Sequence, residues 1–76
     1  MDDVKGMPLE QVLRRRRIAM GLNQERLAKK VGVTGAAVSG WENGARVPRA
    51  ASVPDLSAAL QIDVETLANL VMSASR

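Results

Sequence analysis

The sequence predicts an all-α fold, a compact bundle of five short helices, and three observations support this fold class. Apolar residues recur at spacings of three and four along most of the chain, which is the pattern of helices with one buried face. Glycines stand where these periodic stretches stop, as expected at helix C-termini. Trp41 is the only aromatic residue, and the alternating β-branched and aromatic runs typical of strands are missing from the sequence.

The first helix is predicted over residues 8–20, after a flexible leader of residues 1–7. Pro8 suits the first helical turn, where its missing N–H costs nothing. Gly21 then ends the helix as a C-terminal glycine. Its apolar face consists of Leu9, Val12, Leu13 and Met20.

Four consecutive arginines, residues 14–17, lie within this first helix. They spread over a full helical turn, so at least one of them must face inward. Arg17 is the best candidate because it lies one turn beyond Leu13. The other arginines can reach solvent or phosphate.

Two further short helices joined by a sharp turn are predicted next. One opens at Asn23 or Gln24 and ends at Gly32, and the other covers residues 35–43 with Thr34 as its N-cap. Their inward faces consist of Leu27, Ala28, Val31, Ala37, Val38 and Trp41. This is the pattern of a helix-turn-helix, whose second helix enters the major groove of DNA.

Two helices complete the predicted domain of residues 8–72. The fourth begins near Ser52 as N-cap and tolerates Pro54 in its first turn, and Asp63 caps the fifth. The buried residues of the fourth helix are Leu56, Ala59 and Leu60. The apolar stripe of the fifth consists of Val64, Leu67, Leu70 and Val71. Residues 73–76 are expected to form a frayed tail.

Composition restricts the possible functions of this chain of 76 residues. It has neither cysteine nor histidine, which excludes disulfides and zinc sites of the Cys/His type and removes the commonest general base. No catalytic grouping stands out, so we expect no enzyme, and neither a metal, a cofactor nor a small-molecule ligand. A signal-peptide core and a membrane-length apolar run are both missing, which favours a soluble, cytoplasmic protein without a membrane partner.

The basic residues are concentrated in one part of the chain. Residues 1–49 hold ten Lys and Arg against five Asp and Glu, whereas residues 50–76 hold one against three. The positive excess therefore coincides with the predicted helix-turn-helix. This distribution favours a polyanionic partner such as double-stranded DNA over a merely solvated surface.

A set of residues falls in register with a known family: Gly21, Leu22, Gln24, Leu27, Ala28, Gly32, Val33, Val38, Trp41, Glu42, Gly44 and Pro48. Through them residues 9–70 resemble the phage repressor/Cro-type helix-turn-helix family, especially the N-terminal domains of lambdoid phage repressors. The resemblance implies a bacterial or phage-encoded, nucleoid-associated transcriptional regulator, a repressor or Cro-like protein. It also implies a homodimer on a near-palindromic operator, with one third helix in each of two successive major grooves.

The resemblance further assigns roles to individual residues. The implied phosphate contacts are Asn23, Gln24, Asn43, Arg46 and Arg49. The implied base-reading residues, at the start of the third helix, are Thr34, Gly35, Ala36, Ser39 and Gly40. Arg17 and Glu42 match a partly buried structural ion pair, for which the alternative is two independent surface charges.

The base-reading positions depart from the family, whose members commonly carry Gln, Asn, Lys or Arg there. Small residues cannot make the bidentate arginine–guanine contact. Base recognition is therefore weak per base or dependent on DNA shape, or small side chains let the backbone sit deeper with bridging water.

Several alternatives remain open at this point. The same fold serves antitoxins and controllers of restriction–modification operons, and a protein-interaction module that has lost base readout would also carry small residues. Because the chain ends soon after the fifth helix, we expect a homodimer to use this domain itself. Its surface would come from the part of the Val64, Leu67, Leu70 and Val71 stripe that the core leaves free.

Overall fold

The computed structural model describes residues 6–75, and these residues form five α-helices joined by short connections, without a strand. The helices are α1 Leu9–Ala19, α2 Gln24–Val31, α3 Gly35–Glu42, α4 Val53–Leu60 and α5 Val64–Ala74, with a short 3₁₀ turn at Ala50–Ser52. The predicted all-α, five-helix architecture is confirmed.

One hydrophobic core lies between all five helices. Its fully buried side chains are Val12, Leu13, Leu27, Val38, Leu56, Leu60 and Leu67. Trp41 is 5% exposed and belongs to this core. An indole buried in the domain is not available to stack on a base, so the aromatic residue serves packing.

The two helices of the predicted helix-turn-helix end where the sequence places their ends. The side-chain oxygen of Asn23 accepts a hydrogen bond from the Arg26 N–H at 2.8 Å, and Gly32 ends α2 at φ +79°. The Thr34 hydroxyl oxygen accepts from the Ala37 N–H at 3.1 Å and caps α3. These local contacts fix the sharp turn, and α3 packs directly on α2.

The connection into α4 differs from expectation, and α4 ends in an unusual conformation. Ser52 makes no side-chain capping bond, because the 3₁₀ turn of Ala50–Ser52 leads directly into the helix. Gln61 ends α4 in the left-handed conformation at φ +53°, without the glycine that usually takes this position. Neither feature is marked by a local sequence signal, since no glycine stands at position 61 and no side chain caps the start of α4.

Both ends of the domain extend slightly beyond the predicted limits. Met7, assigned above to the flexible leader, packs partly buried against the core. At the other end α5 continues through Ala74, two residues into the expected tail. Residues 1–5 of the leader and Arg76 lie outside the described residues.

Arg16 and Arg17 of the arginine run both contact other helices. The Arg16 Nε donates to the Leu60 carbonyl at 3.1 Å, which ties α1 to the last turn of α4. Arg17 reaches α3, as described below. Among residues 6–75, no helix is long and apolar enough to cross a membrane, and no acidic cluster could hold a metal ion.

Candidate nucleic-acid interface

A half-buried ion pair holds α3 against α1. Arg17 of α1 donates from Nε to Glu42 Oε2 at 2.7 Å and from Nη2 to Oε1 at 3.0 Å, and the side chains are 12% and 5% exposed. Hydrogen bonding to Glu42 raises the pKa of the Arg17 guanidinium above its usual value, with a smaller opposing effect of burial. The planar fork facing a carboxylate is the strong, orientation-specific form of this contact.

Leu22 and Gln24 also form hydrogen bonds to this ion pair. The third guanidinium nitrogen of Arg17 donates to the Leu22 carbonyl at 2.9 Å, in the connection between α1 and α2. The Gln24 amide donates to Glu42 Oε1 at 3.2 Å. The Glu42 carboxylate therefore fixes the start of α2 relative to the end of α3.

A cleft of about 280 Å³ lies beside the ion pair and brings several predicted site residues together. It is lined by Arg14, Arg17, Gln24, Ser39, Glu42 and Asn43. The Asn43 side-chain oxygen accepts from the Ala45 N–H at 2.9 Å, which orients the exposed amide. Arginine and amide donors line this cleft, so they would contact an anion of phosphate size that enters it.

Arg14 is a member of this cleft that sequence reasoning did not single out. It is exposed, and it lies three residues before Arg17, on the same side of α1. That spacing is the signal that points to it, since a side chain one turn before the inward-facing arginine must border the same site. Asn23, by contrast, uses its oxygen to cap α2 and does not line the cleft.

The outward face of α3 is as bare as the sequence indicates. Thr34 and Ala36 are exposed, whereas Gly35 and Ser39 are half-buried. The Glu25 carboxylate lies directly over Gly35, so a side chain at that position would require Glu25 to move. The base-reading role of these four residues stays a prediction.

Gly40 requires a correction. It was expected on the exposed, base-reading face, but it is buried, because the aliphatic part of the Arg46 side chain covers it. Its carbonyl oxygen accepts hydrogen bonds from the N–H groups of Ala45 and Arg46 at 3.0 and 3.1 Å. Gly40 therefore joins α3 to the loop of residues 44–49, called the basic loop below, and does not itself face outward.

The basic loop after α3 borders α3 on the side away from the cleft. Arg46 and Arg49 are both exposed, and both line a second, larger depression with Thr34 and Ala37. Arg14 and Asn43 thus lie on one side of α3, and the two loop arginines lie on the other. Helix α3, whose outward side chains are small, therefore has cationic or amide donors on both sides.

The sequence matches a known protein family over most of its length. The helix-turn-helix family model of the type designated HTH_3 matches residues 13–67, from the middle of α1 to the first part of α5. The match includes all of α2, the turn and α3, together with the cleft and the basic loop.

Proposed function

Because the chain belongs to the Cro/C1-type helix-turn-helix family of DNA-binding transcription regulators, we propose that it represses transcription as a homodimer on a near-palindromic operator. In this proposal α3 of each protomer enters a major groove. The cleft and the basic loop bind phosphates on either side of that groove.

The flanking of α3 by donors is the observation that supports this proposal most strongly. Arg14 and Asn43 on one side, and Arg46 and Arg49 on the other, are exposed side chains that can meet the two backbones bordering a groove. A protein-interaction module would not require donors on both sides of an exposed helix. Phosphate contacts are expected to supply much of the affinity, since α3 itself carries few hydrogen-bonding side chains.

The proposed dimer uses a part of α5 that the core leaves exposed. Leu67 and Val71 are buried within the protomer, so neither provides interface area. Val64 and Met72 are 50% and 69% exposed and share one side of α5 with Ala68, at a spacing of four residues. We define these three residues as the α5 strip and propose that it meets its own copy across the two-fold axis.

The dependence of DNA affinity on salt tests the proposal. The logarithm of the binding constant should fall linearly with the logarithm of salt concentration, with a slope of about −0.9 per phosphate neutralised. Arg49→Ala should reduce the magnitude of the slope by about one unit per protomer. The matched control Lys30→Ala removes one exposed charge near the end of α2, outside the interface, and should leave the slope unchanged.

Three results would contradict the proposal in this experiment. One is wild-type protein that does not bind duplex DNA at low salt. Another is a binding constant that does not change with salt concentration. The last is an equal change of slope for Arg49→Ala and Lys30→Ala. Salt-insensitive capture of a partner protein would instead favour the interaction module.

A charge placed on the α5 strip tests the dimer separately. Met72→Asp should prevent two protomers from occupying the operator together, and so lower operator affinity and the stoichiometry measured by sedimentation. Ser73→Asp adds the same charge at an exposed position that lies about 100° further around α5 than Met72, away from Val64 and Ala68, and should have no such effect. Equal behaviour of the two variants would contradict the α5 interface and leave DNA binding itself untouched.

A further inference from the structure

Arg46 lies along the surface of α3, although it belongs to the loop that follows this helix. Its Cδ, Cγ and Cβ atoms lie 3.0, 3.1 and 3.3 Å from the position that a Cβ on Gly40 would occupy. Its main-chain N–H also donates to the Gly40 carbonyl at 3.1 Å. One glycine of α3 therefore holds both the backbone and the aliphatic part of this arginine.

The outward residues of α3 lack the group that most often reads a guanine. A bidentate contact to guanine O6 and N7 needs two parallel N–H donors, which arginine provides. Thr34, Ala36 and Ser39 have no such pair. Arg46 is exposed, its stem lies against Gly40 of this helix, and it lines one depression together with Thr34.

We propose that Arg46 is a base-reading residue, and that Gly40 is the residue that positions it. The guanidinium, carried along α3 by the contact with Gly40, donates two hydrogen bonds to a guanine in the major groove. This inference rests on the proposed function, and it replaces the phosphate contact that the sequence and the proposed function assign to Arg46, leaving Arg49 as the phosphate-binding arginine of the loop.

The identity of residue 40 follows from this arrangement. Glycine inside a helix lowers its stability relative to alanine, so its presence in α3 needs a compensating use. A methyl group at this position would lie closer to the Arg46 stem than side chains normally approach, and the stem would have to shift. Glycine is thus the residue that lets the arginine lie flat against the helix.

Affinity measurements on an operator and on its single-base-pair variants distinguish base reading from phosphate binding. The operator is first recovered by selection from random DNA. For wild-type protein, replacing one G·C pair in a half-site should lower affinity by about 10- to 100-fold. Arg46→Ala should lose affinity for the operator and become indifferent to that base pair, with its other preferences intact.

Arg49→Ala is the matched comparison, because Arg49 is an exposed arginine of the same loop. It should weaken binding to every sequence by a similar factor and leave the base-pair preferences unchanged. If Arg46→Ala also weakens all sequences uniformly and reduces the salt slope, Arg46 binds phosphate and the inference is overturned while the proposed function stands. Failure of wild-type protein to bind duplex DNA would overturn the proposed function itself.

Gly40→Ala tests the positioning. It should reduce the preference at the same base pair, with a melting temperature within a few degrees of wild type, because the methyl group displaces a flexible side chain and favours the helix. In the Arg46→Ala background the same substitution should have no further effect on that preference. Full preference retained in Gly40→Ala, or a further loss in the double variant, would show that Gly40 does not position Arg46.

Discussion

Helices α2 and α3 have the same length and the same kind of N-cap, yet they are stabilised differently. Each has eight residues, and each begins with a side-chain oxygen that accepts a backbone N–H three residues later. Helix α2 contains no glycine, carries charged residues on its outer face and ends at the left-handed Gly32. Helix α3 contains two glycines and one charged residue, Glu42.

The difference indicates that α2 is specified by its own sequence, whereas α3 depends on the residues around it. Trp41 and Val38 bury one side of α3 in the core, and Glu42 ties its last turn to α1. Gly40 ties it to the basic loop. A helix held by such contacts can present a bare outer face, because its side chains there are not needed for stability.

The largest expected effect comes from breaking the link between α3 and α1. Glu42→Ala leaves the Arg17 guanidinium half-buried and unpaired, and should lower the free energy of unfolding by about 2–4 kcal/mol, measured by urea denaturation with circular dichroism. The matched control in α2, Lys29→Ala, removes an exposed charge and should change it by less than about 0.5 kcal/mol. A loss below about 1 kcal/mol for Glu42→Ala would contradict the conclusion that α3 depends on its contacts with the residues around it.

An intermediate effect is expected at the two N-caps, where the helices should behave alike. Asn23→Ala and Thr34→Ala should each lower the free energy of unfolding by about 1 kcal/mol, because each removes the acceptor for one backbone N–H. Ser52→Ala is the control, since Ser52 makes no capping bond, and its effect should be much smaller. Thermal or urea denaturation of the three variants checks this order, and a cost at Ser52 equal to the others would contradict it.

The smallest effect is expected at Gly35, and its sign is informative. Gly35→Ala should raise the free energy of unfolding by up to about 0.5 kcal/mol, because alanine favours the helix and the Glu25 carboxylate can swing aside. Gly32→Ala should instead lower it by about 1 kcal/mol, since alanine tolerates the left-handed conformation poorly. Denaturation curves in the same buffer decide the signs, and a destabilised Gly35→Ala would mean that Glu25 holds a fixed position over α3.

Much of the fold was predictable because its signals are local. Apolar spacing, the glycines at 21 and 32 and the caps at Asn23 and Thr34 define α1 to α3 to within about one residue. The left-handed Gln61 and the 3₁₀ turn before α4 carry no such signal, because neither is marked by a glycine or a side-chain cap. The burial of Gly40 depends on a side chain six residues away, which helical periodicity does not reveal.

The candidate site was predictable to a smaller extent. Residue types and family register selected Gln24, Asn43 and the loop arginines, and the structure brings Gln24 and Asn43 to one cleft. Arg14 was missed, although its position one turn before Arg17 carries a signal, because the cleft that it lines forms only where α1 meets α3. The division of α5 into buried Leu67 and exposed Met72 likewise needed the packing of the whole domain.

Selection of bound DNA from a random duplex pool tests the central claim most directly, since it yields the site sequence and the half-site spacing together. We expect a near-palindromic site with half-site centres about 10–10.5 base pairs apart, one turn of the double helix. A pool that shows no enrichment, or a single half-site without a two-fold related partner, would contradict the proposal that two copies of α3 read one operator.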